Sequence, residues 1–199
     1  MTILNGGGAQ VDVKVKVKVK RLHPDAVIPQ YATAGAAGFD LVAVEDVVIA
    51  PGETKKVTLG LAFEIPEGYV MYVCMRSGIA LKTKLRQSNG IGVIDSDYRG
   101  EVAMVFDNTH RSDYAVVGDS RGWMHVSEQN GVTYGIDGKD VEVTGNLHGT
   151  YIIRKGDRVC QGIIAKVPRA AFVEVAELGE TERGAGGFGS SGIRAEVSE

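Results

Sequence analysis

Three stretches of the 199-residue chain combine side chains and bare backbone in ways suited to a phosphorylated ligand. Residues 183–192 place Arg183, Phe188, Ser190 and Ser191 among five glycines. Backbone amides without side chains can curl into concave nests for anionic oxygens, and serine hydroxyls add donors. Arg183 offers a planar, permanent charge, and a ring flanked by glycines is free to lie flat on another ring. No Lys follows the glycines, so this is not a Walker loop. A flexible Gly/Ser tail is the alternative reading of the same composition. The second stretch, Arg76-Ser77-Gly78, joins a guanidinium, a hydroxyl and exposed amides at a helix start, a phosphate site by chemistry, with a capped helix and a surface Arg as the reading favoured for it alone. The third, from Asn89 through Gly92 to Asp95, Asp97, Tyr98, Arg99 and Gly100, reads as strand, tight turn and strand. Asp95 follows apolar or glycine positions and could sit partly desolvated on a pocket floor, where a carboxylate can act as base on water. An ordinary turn with Asp95 and Asp97 capping amides is the competing reading.

These segments need a scaffold, and the pattern around them is that of strands. At 11–20 valines alternate with lysines, a period of two that puts Val on one face and Lys on the other. The lysine stripe reads as a solvated edge face rather than a phosphate track, given the net charge. Further strands are expected at 39–44, 47–50, 56–65, 69–74, 92–94, 101–108, 151–154 and 159–167, divided by turn signals such as Pro51-Gly52 and Pro66-Glu67-Gly68. One short helix is expected at 78–84. Many short strands without a long amphipathic helix predict an all-β sandwich or barrel and disfavour doubly wound nucleotide folds.

Composition sets the remaining bounds. With 22 Lys+Arg against 25 Asp+Glu the chain is at −3, which argues against a dedicated nucleic-acid binder. No DNA, RNA or membrane partner is expected. Apolar residues at 44% suit a packed domain, and no run is long enough to span a bilayer. Cys74 and Cys160 sit in apolar runs, so a reducing, cytoplasmic setting is expected rather than a disulfide scaffold. Residues 112–149 differ from the rest, with seven glycines, the only tryptophan and the dipeptides Asn130-Gly131 and Asp137-Gly138. They predict a three-stranded meander over 123–129, 132–136 and 139–144, inserted into the domain and too poor in large apolar residues to fold alone.

Taken in order, the stretches resemble the homotrimeric dUTPase family. Five motifs carry the resemblance: Ala37-Gly38-Phe39-Asp40-Leu41; Arg76-Ser77-Gly78-Ile79-Ala80; 92–100; Gly156-Asp157-Arg158-Val159-Cys160-Gln161; and 183–192. Cys160 stands where alanine is usual, and Met75 precedes the second-motif Arg. The resemblance implies a jelly-roll-like β-barrel or sandwich with one short helix, assembled as a trimer with active sites shared between subunits. It implies hydrolysis of dUTP to dUMP and pyrophosphate, which keeps uracil out of DNA and supplies dUMP. Asp95 would be the general base, and Tyr98 would pack on the deoxyribose. Asn89 and the backbone at Gly92 would read uracil. Arg76, Ser77, Gly78 and Gln161 would hold phosphates. Phe188 would stack on the base, with Arg183, Gly189, Ser190 and Ser191 closing over the γ-phosphate end. Mg²⁺ would ride mainly on the phosphates, with Asp40 acting through water. Residues 1–111 and 150–182 would form the core, 112–149 the insertion, and 183–199 the lid and tail. The insertion resembles those of bacteriophage dUTPases that engage a repressor. A viral origin, in a host cytoplasm, and a regulatory protein partner at 112–149 are therefore expectations. A nucleotide-gated binding protein and a dCTP deaminase relative are the rival readings.

Overall fold

The computed structural model describes residues 15–111, 116–118, 124–126, 131–143 and 145–187. In chain order the elements are β1 (Lys18–Arg21), β2 (Phe39–Val42), β3 (Val47–Ile49), β4 (Thr54–Glu64), β5 (Tyr69–Met75), α1 (Ser77–Lys82), β6 (Leu85–Gln87) and β7 (Gly92–Ile94). They continue with β8 (Val102–Asn108), β9 (Val116–Gly118), β10 (Met124–Val126), β11 (Thr133–Gly135), β12 (Asp140–Val141), β13 (Thr150–Ile153) and β14 (Arg158–Lys166). Three four-stranded sheets run in the orders β1-β4-β8-β6, β12-β11-β13-β3 and β2-β14-β5-β7, with β9 and β10 as a separate pair. The all-β expectation with one short helix holds. Residues up to 168 form one compact unit and those from 169 a second, which has neither strand nor helix among its described residues.

Alternation decides which faces meet. Along β8 buried and half-buried residues alternate without a break, sending Val102, Met104 and Phe106 inward. Leu41, Leu59, Met71 and Ile153 complete the same fully buried core. β1 keeps the Val/Lys division: Val17 and Val19 pack on the core, while Lys16, Lys18 and Lys20 face solvent on a sheet edge. Residues 11–14 of that expected strand lie outside the described residues. Within β4 the register to β8 shifts between Thr58 and Leu61. Gly60 makes this bulge feasible, with φ at +64° and no room for a Cβ, which would stand 2.7 Å from the His23 Cβ.

α1 spans 77–82 rather than 78–84. Thr83 ends it by leaving helical geometry and returning both its backbone N–H (3.0 Å) and its hydroxyl (2.7 Å) to the Ile79 carbonyl. The insertion departs further from its expected meander. β10 pairs with β9, not with β11. β11 instead joins the core, antiparallel to β12 and parallel to β13. Asn130 of the first expected turn lies outside the described residues. The second turn is a three-residue loop, Ile136 to Gly138, closed by Gly138 N–H on the Gly135 carbonyl at 3.0 Å, with φ of Gly138 at +78°. It is a glycine-bulge loop rather than a two-residue type I′ turn.

The two cysteines are free. Cys160 is paired with Met75 and Cys74 with Gln161, so their side chains lie on opposite faces of the sheet. Burial pushes the Cys160 thiol up to about 12, leaving it an inert packing group.

Asn108, 2% exposed, clasps the root of the insertion. Its Nδ2 donates to the carbonyls of Ile49 (2.9 Å) and Gly149 (2.8 Å), and its Oδ1 accepts from the His110 N–H at 2.9 Å. Replacement Asn108→Leu strips two buried carbonyls and one N–H of their partner. The expected loss is about 2–3 kcal/mol, read as a lowered urea midpoint at constant slope.

Candidate active site

A cleft of about 900 Å³ opens where β2, β5, α1 and β14 converge. The sheet order explains the convergence. β14 lies between β2 and β5, so Gln161 is opposite Asp40 on one side and Cys74 on the other. Arg76, directly after β5, emerges beside both. Gly38 sits so close that a Cβ would stand 3.2 Å from the Gly162 carbonyl and 3.3 Å from Gln161 Oε1. Only a bare Cα leaves that wall of the cleft unobstructed. Ser77 and Gly78 are exposed at the opening, and space for a Cβ at Gly78 is free out to 4 Å.

Charge is organised around one carboxylate. Asp40 forms an ion pair with Arg76, Oδ1 to Nε at 3.1 Å, and accepts a hydrogen bond from Arg158 Nη1 on Oδ2 at 3.1 Å. Arg76 also donates through Nη1 to the Arg158 backbone carbonyl at 3.1 Å. Each guanidinium has five N–H donors, so these contacts orient the pair without exhausting it. With Lys82 three cations line the cleft, beside the carboxylates of Asp40, Asp137 and Asp157, and the two guanidinium groups are the donors suited to phosphate oxygens.

The third-motif residues are placed elsewhere. β7 is on the sheet edge opposite β2. Ile94 pairs with Met71, which brings Asp95 level with Val70, six residues from Arg76. At about 3.3 Å per residue that is about 20 Å along the strand. Asp95 is exposed in the single chain and not on the floor of this cleft, which in one chain matches the ordinary turn rather than the desolvated alternative. Asn89 and Tyr98 are exposed as well, while Gly92 is buried against Val73. The Tyr98 ring folds back over Gly100 and donates its hydroxyl to the Glu101 carbonyl at 3.1 Å. Arg183 belongs to the second unit and donates through Nε to the Gly186 carbonyl at 2.8 Å, shaping a tight turn. Phe188, Gly189, Ser190 and Ser191 lie outside the described residues.

The cleft also holds residues that spacing alone did not mark. Arg158 lies within the fourth motif and Lys82 within the expected helix, and neither has a role in the sequence reading. Ile136 and Asp137 come from the insertion. The Lys139 backbone N–H at 3.1 Å holds the Asp137 carboxyl below the usual range, so the turn presents an ionised group. Gly138 packs on the end of α1, where a Cβ would stand 2.7 Å from the Lys82 carbonyl. The strand β11 that carries this turn is paired to the core, which no local pattern in the sequence reveals. Gly138→Val would collide with that carbonyl and demand a left-handed φ from a β-branched residue. Nucleotide titration should show affinity weakened by about tenfold, with the core melting transition retained.

The dUTPase family model matches residues 25–121 and 138–192, leaving 122–137, within the insertion, unmatched. A curated deoxyuridine 5'-triphosphate nucleotidohydrolase of Nautilia profundicola is 40% identical over 178 residues, 89% of this chain and 99% of that one. The Thermobifida fusca enzyme of the same name is 38% identical, covering 93% of this chain and 83% of its own. Among solved structures, the dUTPase of Staphylococcus bacteriophage 80alpha with dUpNHpp superposes with a TM-score of 0.77 at 30% identity, over 89% of this chain and 99% of that one. A dUTPase from phage phi11 of S. aureus, described for its species-specific insert, gives 0.68 at 28% identity over 82% and 97%. The match includes the segments that line the cleft, and the chain belongs to the dUTPase family, whose members hydrolyse dUTP.

Proposed function

We propose that the chain hydrolyses dUTP at sites assembled from more than one copy of itself, with Asp95 as general base. The observation that carries this reading is the separation of Asp95 from Arg76 by about 20 Å along β5. One chain holds a phosphate-binding cleft and, on the far sheet edge, a base with nothing to act on. A second copy that presents its Asp95 hairpin to the cleft completes the set, and cyclic symmetry closes such head-to-tail contacts into a ring. Ile91, Val93 and Tyr98 around that hairpin are exposed, as are Phe172, Val173 and Leu178 in the second unit. Apolar surface of this kind suits subunit contacts in the expected trimer.

In the assembled site Arg76, Ser77, Gly78 and Gln161 hold the triphosphate, with Arg158 beside them. Asp95 takes a proton from a water whose oxygen attacks the α-phosphorus. The new P–O bond forms as the bond to the bridging oxygen breaks, and that electron pair leaves with pyrophosphate. Tyr98 packs on the deoxyribose and leaves no room for a 2′-hydroxyl. Asn89 and the Gly92 backbone take the uracil edge. Phe188 stacks on the base, while Arg183, Gly189, Ser190 and Ser191 cover the γ-phosphate end and exclude water.

The residues present fit a Mg²⁺ ion that arrives on the substrate. Among the described residues no three His, Cys, Asp or Glu side chains gather around a metal-sized point. Asp40, with its side chain 22% exposed at the cleft, is a single carboxylate suited to a hydrated cation carried by phosphates. When bound, Mg²⁺ neutralises charge on the phosphate oxygens. Residues 112–149, of which the family model leaves 122–137 unmatched, carry a docking surface for a regulatory protein partner such as a repressor.

Pyrophosphate release from dUTP should exceed that from dTTP, dCTP and UTP, and Asp95→Asn should lower it by at least about a hundredfold. Equal turnover of all four nucleotides, or a fully active variant, contradicts the assignment. Sharing between subunits has its own test in chains carrying Asp95→Asn co-refolded with chains carrying Arg76→Ala. Mixed assemblies should regain turnover well above either variant alone, because some sites combine an intact cleft with an intact base.

A further inference from the structure

β5 is flanked by β14 and β7, but β7 is short and pairs only from Met71 to Val73. Beyond Val73 the β5 edge meets a side chain instead of a strand. Gln87, the last residue of β6 and half-buried, accepts the Met75 N–H on Oε1 at 3.0 Å. Its Nε2 donates to the Val73 carbonyl at 2.9 Å. The two backbone groups fix which end of the amide is which: an N–H requires the oxygen and a C=O requires the NH₂. The second hydrogen of that NH₂ goes to Asn89 Oδ1 at 3.2 Å. A donor must meet an oxygen, so Asn89 is held with its carbonyl toward Gln87 and its own NH₂ turned away, on an exposed hairpin.

We infer that Gln87 is a positioning residue for base selection: it locks the Asn89 amide so that a hydrogen-bond donor faces the nucleotide base. This rests on the reading of Asn89 as the side chain that takes the uracil edge. Uracil offers a carbonyl oxygen at C4, and cytosine offers an amino group there. A locked NH₂ bonds to the first and confronts the second donor to donor, leaving two buried donors unpaired. An unlocked asparagine could turn over and serve either base. The discrimination therefore originates in the β5 backbone and passes through Gln87 to Asn89.

The test is the kcat and KM of the full-length protein for dUTP and dCTP, with Gln87→Met, Gln87→Glu and Asn89→Ala beside wild type. In Gln87→Met the anchor is lost, and the dUTP-over-dCTP preference should fall by about tenfold, through KM with dUTP kcat little changed. In Gln87→Glu the new carboxylate accepts from the Asn89 NH₂ and turns its oxygen outward, so the preference should move further toward dCTP. A Gln87→Met protein that melts as wild type does and keeps the full preference overturns the inference. Should the carboxylate beside the Val73 carbonyl prevent folding of Gln87→Glu, the methionine variant decides alone. A wild type without preference for dUTP, or an Asn89→Ala variant with its preference intact, strikes the base reading itself and takes the inference with it.

Discussion

The bridge from Asp40 to Arg76 and Arg158 is the interaction on which the cleft depends. Those residues stand on β2, after β5 and on β14, three segments far apart in the chain and brought together only by the sheet. Like charges on the two arginines would drive them apart in an empty cleft, and a single carboxylate between them cancels that repulsion. It also aims both guanidinium groups before any ligand arrives, so less side-chain entropy is lost on binding. Gln161 and Gly38 then follow from the same pairing, since both flank the β2–β14 contact.

A second constraint is the division of labour between sheet edges. β14 and β5 are internal strands and form a rigid floor, whereas β7 is an edge of three residues. Asp95, the proposed base, follows that edge and is turned outward, where the proposed assembly would let another copy use it. Exposure of Asp95 and Tyr98 in one chain is thus consistent with their work being done elsewhere, and the Gln87 amide stiffens the same edge where backbone pairing has run out.

Much of this was legible in the sequence because its signals are local. Strand-like runs divided by turn signals marked β4, β5, β8 and β14 to within a few residues, and Asp40, Arg76 and Gln161 of three motifs stand around one cleft. Other features escaped for physical reasons. Helix α1 stops early because the Thr83 hydroxyl competes for the Ile79 carbonyl, a choice that propensity does not encode. β11 joins β13 through a parallel pairing, which has no turn signature. Gln87 was unremarkable as a polar residue in a three-residue strand, and its role exists only through atoms of β5. Asp95 is exposed because it follows a strand on a sheet edge, and which strand becomes an edge is set by the whole sheet rather than by local pattern.

The clasp at Asn108 has a bearing on how this molecule changes over evolutionary time. β8 ends at Asn108 and β13 begins at Thr150, and the Asn108 amide ties that entrance to Gly149 at the exit. Once two chain ends are held together by the scaffold, lengthening what lies between them is cheap: doubling a loop costs only about 0.6 kcal/mol in closure entropy. The segment between is therefore a grafting point, where sequence can be gained, lost or exchanged while the strands on either side keep their register. The part from β11 to β12, woven into the sheet and the cleft wall, is bound by the core's own packing, whereas the β9–β10 pair lies in a sheet of its own. Diversification under selection should concentrate in that outer pair.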